Sequence, residues 1–115
     1  MQKQGKLISD EWIESALEYL STCSDKIAAA RGQRVRSEFV RKQTRARLML
    51  MSPESSAAMR EAWAESHTDY IAACEEEAKA VEEDEWHRSQ RNKADTIIEA
   101  WRTEQASHRA GNKFQ

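Results

Sequence analysis

Apolar residues recur at helical spacing along the first half of the chain. They return every three or four residues from Trp12 to Ile27, and beyond that one face is lined by Ala28, Val35, Phe39, Ala46 and Leu50. This period is typical of an amphipathic α-helix. Ser9 can cap the first turn, and Asp10 follows it there with a favourable charge. We predict a first helical arm over residues 9–51, with a kink near Gly32 as the alternative to a straight helix.

The pattern is interrupted at Met51-Ser52-Pro53-Glu54, which contains the only proline of the chain. Proline fits the first turn of a new helix because it has no amide hydrogen to donate, and Ser52 is placed to cap that turn. The apolar run Leu48–Met51 would plug the closed end. Residues 51–54 are therefore predicted to form the turn of an antiparallel helical hairpin.

A second arm is predicted over residues 53–108, followed by a frayed C-terminus. One stripe carries Met59, Trp63, Tyr70, Cys74 and Val81, whereas Trp86, Ala94, Ile97, Ile98 and Trp101 lie on nearly the opposite side. Either the helix breaks within residues 87–91 or a continuous helix meets a different neighbour there. The predicted fold class is all-α, an elongated hairpin of two long helices that kinks could divide into three or four.

Composition favours one domain over residues 1–115 that associates with copies of itself. Hydrophobic residues make up 39% of the chain and charged residues 33%. Such a chain builds seams between long helices, as in a coiled coil, and a second subunit often completes them. We expect a homo-oligomer, a dimer or higher. We also expect a cytoplasmic protein without membrane contact, since no apolar run approaches the roughly 20 residues that span a bilayer.

Charge is strongly segregated along the chain. Residues 1–51 carry a net charge of +4, residues 52–87 of −9 and residues 88–115 of +3. The acidic segment contains Glu75–Glu77 and Glu82–Glu85, whose negative charges repel one another within a helix, so we expect something to compensate this repulsion. A basic arm of another chain, a basic partner protein or simple hydration would each do so.

The candidate functional residues lie on the first arm. Five cations fall within about 100° of one another on a helical wheel, namely Arg31, Arg34, Arg41, Lys42 and Arg45. Such a face suits the phosphates of nucleic acid, which arginine can bind through two parallel hydrogen bonds. Alternatively, Glu61, Glu65 and Asp69 neutralise the face as interhelical ion pairs, because a hairpin places residues 57–73 opposite. A solvated face is the third interpretation.

Enzyme chemistry has little support in the sequence. The three histidines have no metal-ligand spacing, and Cys74 and His67 are too far apart along one helix for proton transfer. No phosphate-binding glycine motif or nucleophile motif occurs. Cys23 and Cys74 are predicted to be buried free thiols. We therefore predict no catalytic residue, metal, cofactor or small-molecule substrate.

The segments Arg91-Asn92-Lys93-Ala94 and Ile97-Ile98-Glu99-Ala100-Trp101-Arg102-Thr103, with Arg109, resemble a group of small helical bacteriophage proteins of uncharacterised function. Members of that group often lie near phage recombination or early genes. The resemblance covers about twenty residues and brings no functional residue with it. It implies an accessory protein that acts on nucleic acid or on a protein that processes DNA.

Two functions follow as hypotheses. The first is a non-enzymatic accessory protein that binds nucleic acid through the five cations and supports DNA recombination or processing. The second is a protein–protein adaptor or inhibitor of a host or phage protein, anchored by aromatic residues. Trp12 and Tyr19, seven residues apart on one helix face, are candidates for such a partner surface.

Overall fold

A computed structural model describes residues 7–113 of the chain, and side chains as far as residue 111. It contains three helices, α1 (Asp10–Met51), α2 (Ala57–Ser66) and α3 (Thr68–Lys113). No strand occurs in this range. The predicted all-α fold class is confirmed.

Helix α1 begins where its capping residue predicts. The Ser9 hydroxyl accepts a hydrogen bond from the Trp12 amide at 3.1 Å, and the Ser9 carbonyl accepts from the Ile13 amide at 3.2 Å. The helix then runs unbroken through Gly32 to Met51. A Cβ at Gly32 would lie 3.3 Å from a guanidinium nitrogen of Arg36, so one flexible side chain covers this glycine.

The turn after α1 is longer than predicted. The prediction of a helix that starts at Pro53 and is capped by Ser52 is wrong. Helix α2 starts at Ala57, and its cap is Ser56, whose hydroxyl accepts a hydrogen bond from the Met59 amide at 3.2 Å. The Ser52 hydroxyl instead accepts from the amide of Glu54, two residues on, at 3.1 Å. That local bond turns the chain without starting a helix.

The second arm is divided at His67 rather than within residues 87–91. His67 has an extended backbone (φ −71°, ψ 142°), its amide donates to the Ala64 carbonyl, and its Nδ1 accepts from the Asp69 amide at 3.0 Å. His67 therefore ends α2 and caps α3. Helix α3 passes through residues 87–91 without a break and reaches Lys113, beyond the predicted end at His108. Of the predicted frayed end, Phe114 and Gln115 lie outside the described residues.

The inter-residue contacts divide the chain into two compact units. Unit 1 consists of the segment up to Lys26 and the segment from His87 on. Its two segments run antiparallel, since the amides of Leu7 and Ile8 donate to the Glu104 carboxylate while the Tyr19 hydroxyl donates to the His87 carbonyl. The buried apolar residues of unit 1 are small: Ala16, Cys23 and Ala94.

Unit 2 spans Ile27–Trp86 and contains the turn. Its buried positions are also mostly small, namely Ala30, Ser37, Leu48, Ala64, Ala80 and Asp84. Leu48 is the only large apolar side chain in the described range that is fully buried. The predicted apolar run Leu48–Met51 is buried only in part, because Met49 is half-buried, Leu50 is 85% exposed and Met51 is exposed as well.

Candidate functional site

The predicted basic face lies in unit 2. Along the chain, Arg34 is its first residue that forms an ion pair. One guanidinium nitrogen, Nη1, lies 2.9 Å from Asp84 Oδ2 and 2.9 Å from Glu85 Oε1 on α3. The hydrogen bonds that Arg34 donates to Glu85, and to a smaller extent to Asp84, raise the pKa of Arg34. Asp84 is buried, and its other carboxylate oxygen has no hydrogen-bond partner in the described part of the chain. Arg34 thus neutralises an acid that the helix contact has removed from water.

Arg41 and Arg45 also form interhelical ion pairs, Arg41 with α3 and Arg45 with α2. Arg41 Nε lies 2.6 Å from Glu77 Oε2, and Arg45 Nε lies 3.0 Å from Glu65 Oε1, with Glu61 farther away at 3.6 Å. Hydrogen bonding to Glu77 chiefly raises the pKa of Arg41, and hydrogen bonding to Glu65 chiefly raises that of Arg45. Each guanidinium therefore joins α1 to a neighbouring helix.

Lys42 and Arg31 are outside this interhelical network. Lys42 Nζ lies 3.1 Å from Glu38 Oε1, one turn earlier on α1, and this hydrogen bond is the main cause of the lowered pKa of Glu38. Arg31 is exposed, and no ion pair involves it within the described range. Within the described range, Arg31 is therefore the one of the five predicted cations that forms no ion pair.

The interhelical ion pairs argue against phosphate binding by the predicted basic face. The predicted acidic partners Glu61, Glu65 and Asp69 all pair with α1, the last through Arg47 at 3.5 Å. A phosphate approaching Arg34, Arg41 or Arg45 would have to displace carboxylates that are already in place. The net gain would then be much smaller than for free cations.

Sequence reasoning missed Glu77, Asp84 and Glu85 as partners because it assumed the wrong register. A hairpin folded at Ser52 places residues 57–73 opposite the basic stretch, whereas Arg34 in fact meets Asp84 and Arg41 meets Glu77. The long turn and the separate helix α2 shift α3 along α1. The acidic patches of α3 were the available signal, since a run of carboxylates within one helix is stabilised by nearby cations.

A second candidate site is a groove in unit 1, which we call the unit 1 groove. It has a volume of about 580 Å³. Four residues of α1 and five of α3 line it, namely Trp12, Ser15, Ala16, Tyr19, Gln90, Lys93, Ala94, Thr96 and Ile97. The positions recur at three- and four-residue intervals on both antiparallel helices, so the groove runs along the helix pair.

The floor of the unit 1 groove is made of small side chains, and the surface that lines the groove is mostly apolar. Ala16 and Ala94 are buried, whereas Trp12 is 55% exposed at the groove wall. Tyr19 is fixed by its 3.3 Å hydrogen bond to the His87 carbonyl, and burial, with a smaller contribution from Cys23, raises its pKa above the usual value of 10.0. Lys93 is the exposed cation of the lining.

Other chemistry is limited in the part of the chain that the structure describes. No group of three or more metal-ligating side chains occurs there. Both cysteines are free thiols, with Cys23 buried and Cys74 half-buried. None of the described helices is both long and apolar enough to cross a lipid bilayer.

Comparison with protein-family models, curated proteins and solved structures found no match to this chain.

Proposed function

We propose that the protein is a non-enzymatic protein–protein adaptor that receives an amphipathic helix of a partner in the unit 1 groove. The observation that carries this proposal is the exposed Trp12 beside a floor made by Ala16 and Ala94. Tryptophan is enriched among the residues that contribute most to protein interfaces, because its rigid ring buries a large area.

The chemistry of the groove specifies the kind of partner. A third helix fits between two antiparallel helices whose lining positions recur every three or four residues. The alanine floor accepts a large aliphatic or aromatic side chain, and Lys93 favours a carboxylate on the polar edge of the incoming helix. The expected ligand is an amphipathic helix with apolar anchors one and two turns apart and an acidic residue alongside.

Site-specific photo-cross-linking tests the proposal. A photoreactive amino acid at Ser15, inside the groove, is compared with the same amino acid at Ser21, exposed on another face of α1. The Ser15 probe in cells that produce the protein should give a discrete protein adduct that the Ser21 probe does not. Trp12→Ala, introduced beside the Ser15 probe, should weaken that adduct at least tenfold, as expected for an interface anchor. Equal labelling from both probes would reject the groove as a docking site.

The nucleic-acid hypothesis is separated by direct binding. We expect labelled single strands and duplexes to show no saturable binding at about 50 mM and 200 mM salt, because the basic face is largely paired within the chain. A complex that fades with salt, and that Arg34→Glu with Arg41→Glu abolishes while helicity is retained, would favour nucleic acid instead. A cross-link from Ser15 that disappears after nuclease treatment would point the same way.

A further inference from the structure

Helix α1 carries an apolar stripe on the side that faces away from its own partner helix. The stripe consists of Ala28, Gly32, Val35 and Phe39, which we call the outward stripe. At 100° per residue these four positions fall within about 60°, roughly opposite the buried positions Ala30, Ser37 and Leu48. Val35 is 60% exposed and Phe39 is 61% exposed. Two large apolar side chains therefore project from unit 2 with more than half of their surface left uncovered by the described part of the chain.

The spacing of the outward stripe indicates another helix as its natural cover. Its positions are separated by four, three and four residues, which is the a/d spacing of a coiled coil. Small residues, Ala28 and Gly32, occupy its first half, and large residues, Val35 and Phe39, its second half. A second copy running antiparallel places large against small in every layer, whereas a parallel copy would stack Phe39 on Phe39.

We propose that the outward stripe is a self-association surface on which the same segment of a second copy packs antiparallel. Phe39 of each copy lies against Ala28 of the other, and Val35 lies against Gly32. The Arg36 side chain, which covers Gly32, is exposed and donates a 3.2 Å hydrogen bond to Gln33 Oε1. Water can replace this exposed contact when the side chain moves aside to admit Val35. The contact is isologous and closes as a twofold dimer.

Charges beside the outward stripe select the same register. Arg31 and Glu38 flank it on one edge, at the positions that face each other between antiparallel helices of a coiled coil. With Phe39 over Ala28, Arg31 of each copy meets Glu38 of the other. Displacement by one heptad would instead bring Arg31 near Arg45 and the two Glu38 residues together. Arg31 lacks an ion pair in the described range, and Glu38 is half-exposed beside Lys42, so both can take part.

The size of the contact sets its expected strength. Twelve residues of helix span about 17 Å, and Lys42 occupies the next position along the stripe with a charge that is 63% exposed. The apolar contact therefore stops within four layers. This is at the small end of specific interfaces, so we expect a dissociation constant of about 1–50 µM.

A valine pair on α1 tests the location of the contact. Val35→Glu introduces a carboxylate on the outward stripe, and Val40→Glu introduces the same group at a 51% exposed position on another face. Sedimentation velocity of the full chain at about 1–500 µM should show dimerisation in the wild type and in Val40→Glu, and at least a tenfold loss in Val35→Glu. Circular dichroism should show equal helicity in the two variants.

A mixing experiment tests the occupant and the register. Arg31→Glu and Glu38→Arg should each weaken self-association roughly tenfold, because two attractive pairs become repulsive. Mixed in equal amounts, the two variants should form a heterodimer as tight as the wild-type dimer, since every pair across the contact is then opposite in charge. The double variant Arg31→Glu with Glu38→Arg should also dimerise normally.

Three results would overturn the proposal. One is a wild-type chain that stays monomeric to about 500 µM, far above the expected dissociation constant. Another is a dimer that Val40→Glu disrupts and Val35→Glu does not. The third is a pair of single charge variants that fail to associate when mixed, which would rule out the antiparallel register. Because the stripe belongs to unit 2, none of these results bears on the unit 1 groove.

Discussion

Truncating Leu48 to alanine should destabilise the protein far more than the same change at Leu50. Both residues are leucines in the last turn of α1, but Leu48 is fully buried and Leu50 is 85% exposed. The substitution changes helix propensity equally at the two positions. The comparison therefore isolates the contribution of tertiary packing.

The expected magnitude follows from the burial of Leu48. Replacing leucine with alanine removes three carbon groups from a buried site, which costs about 2.4 kcal/mol at about 0.8 kcal/mol each. A cavity term adds to this loss, so we expect about 3 kcal/mol in total. Leu50→Ala should cost less than about 0.5 kcal/mol.

Urea and thermal denaturation followed by circular dichroism measure both variants. At about 4 °C per kcal/mol for a chain of this size, Leu48→Ala should lower the melting temperature by roughly 12 °C. The scans are run at two protein concentrations, so that any change in self-association is recognised by its concentration dependence. Equal losses for the two variants, or a loss below about 1 kcal/mol for Leu48→Ala, would refute the packing of α1 in unit 2.

Three further predictions concern single contacts. Ser56→Ala should lower stability by about 1 kcal/mol through loss of the cap of α2, whereas Ser55→Ala should have almost no effect. Equal melting temperatures for the two variants would exclude Ser56 as a stabilising cap. Arg41→Glu should lower the melting temperature by opposing Glu77, and adding Glu77→Arg should restore most of it, with a coupling of about 1 kcal/mol in a double-mutant cycle. Stability should fall as pH rises from the usual tyrosine value of 10.0 through the raised pKa of Tyr19, because the folded chain favours the protonated phenol; this loss should be smaller in Tyr19→Phe, and an unchanged pH profile would exclude Tyr19 as its source.

Local signals were sufficient for the helices themselves. The three-to-four-residue period, the cap at Ser9 and the scarcity of glycine and proline determine where α1 begins and that the chain is all-α. These signals act over one or two turns, so they can be read without knowing what packs against the helix. The opposite charges of α1 and the later segments also predicted interhelical ion pairs, and their general character is correct.

Only the tertiary structure decided the turn, the register and the buried face. Ser52 and Ser56 are both acceptable caps, and the break at His67 carries no glycine or proline. Which serine caps the helix, and where the second arm breaks, depends on how the helices pack. The same packing pairs Arg34 with Asp84 instead of a residue before position 74. Several larger apolar residues of α1, among them Val35 and Phe39, face outward, whereas Ala30 and Ser37 are buried. The physical reason is that small side chains let two helices approach closely, and that advantage arises only once the neighbouring helix is in place.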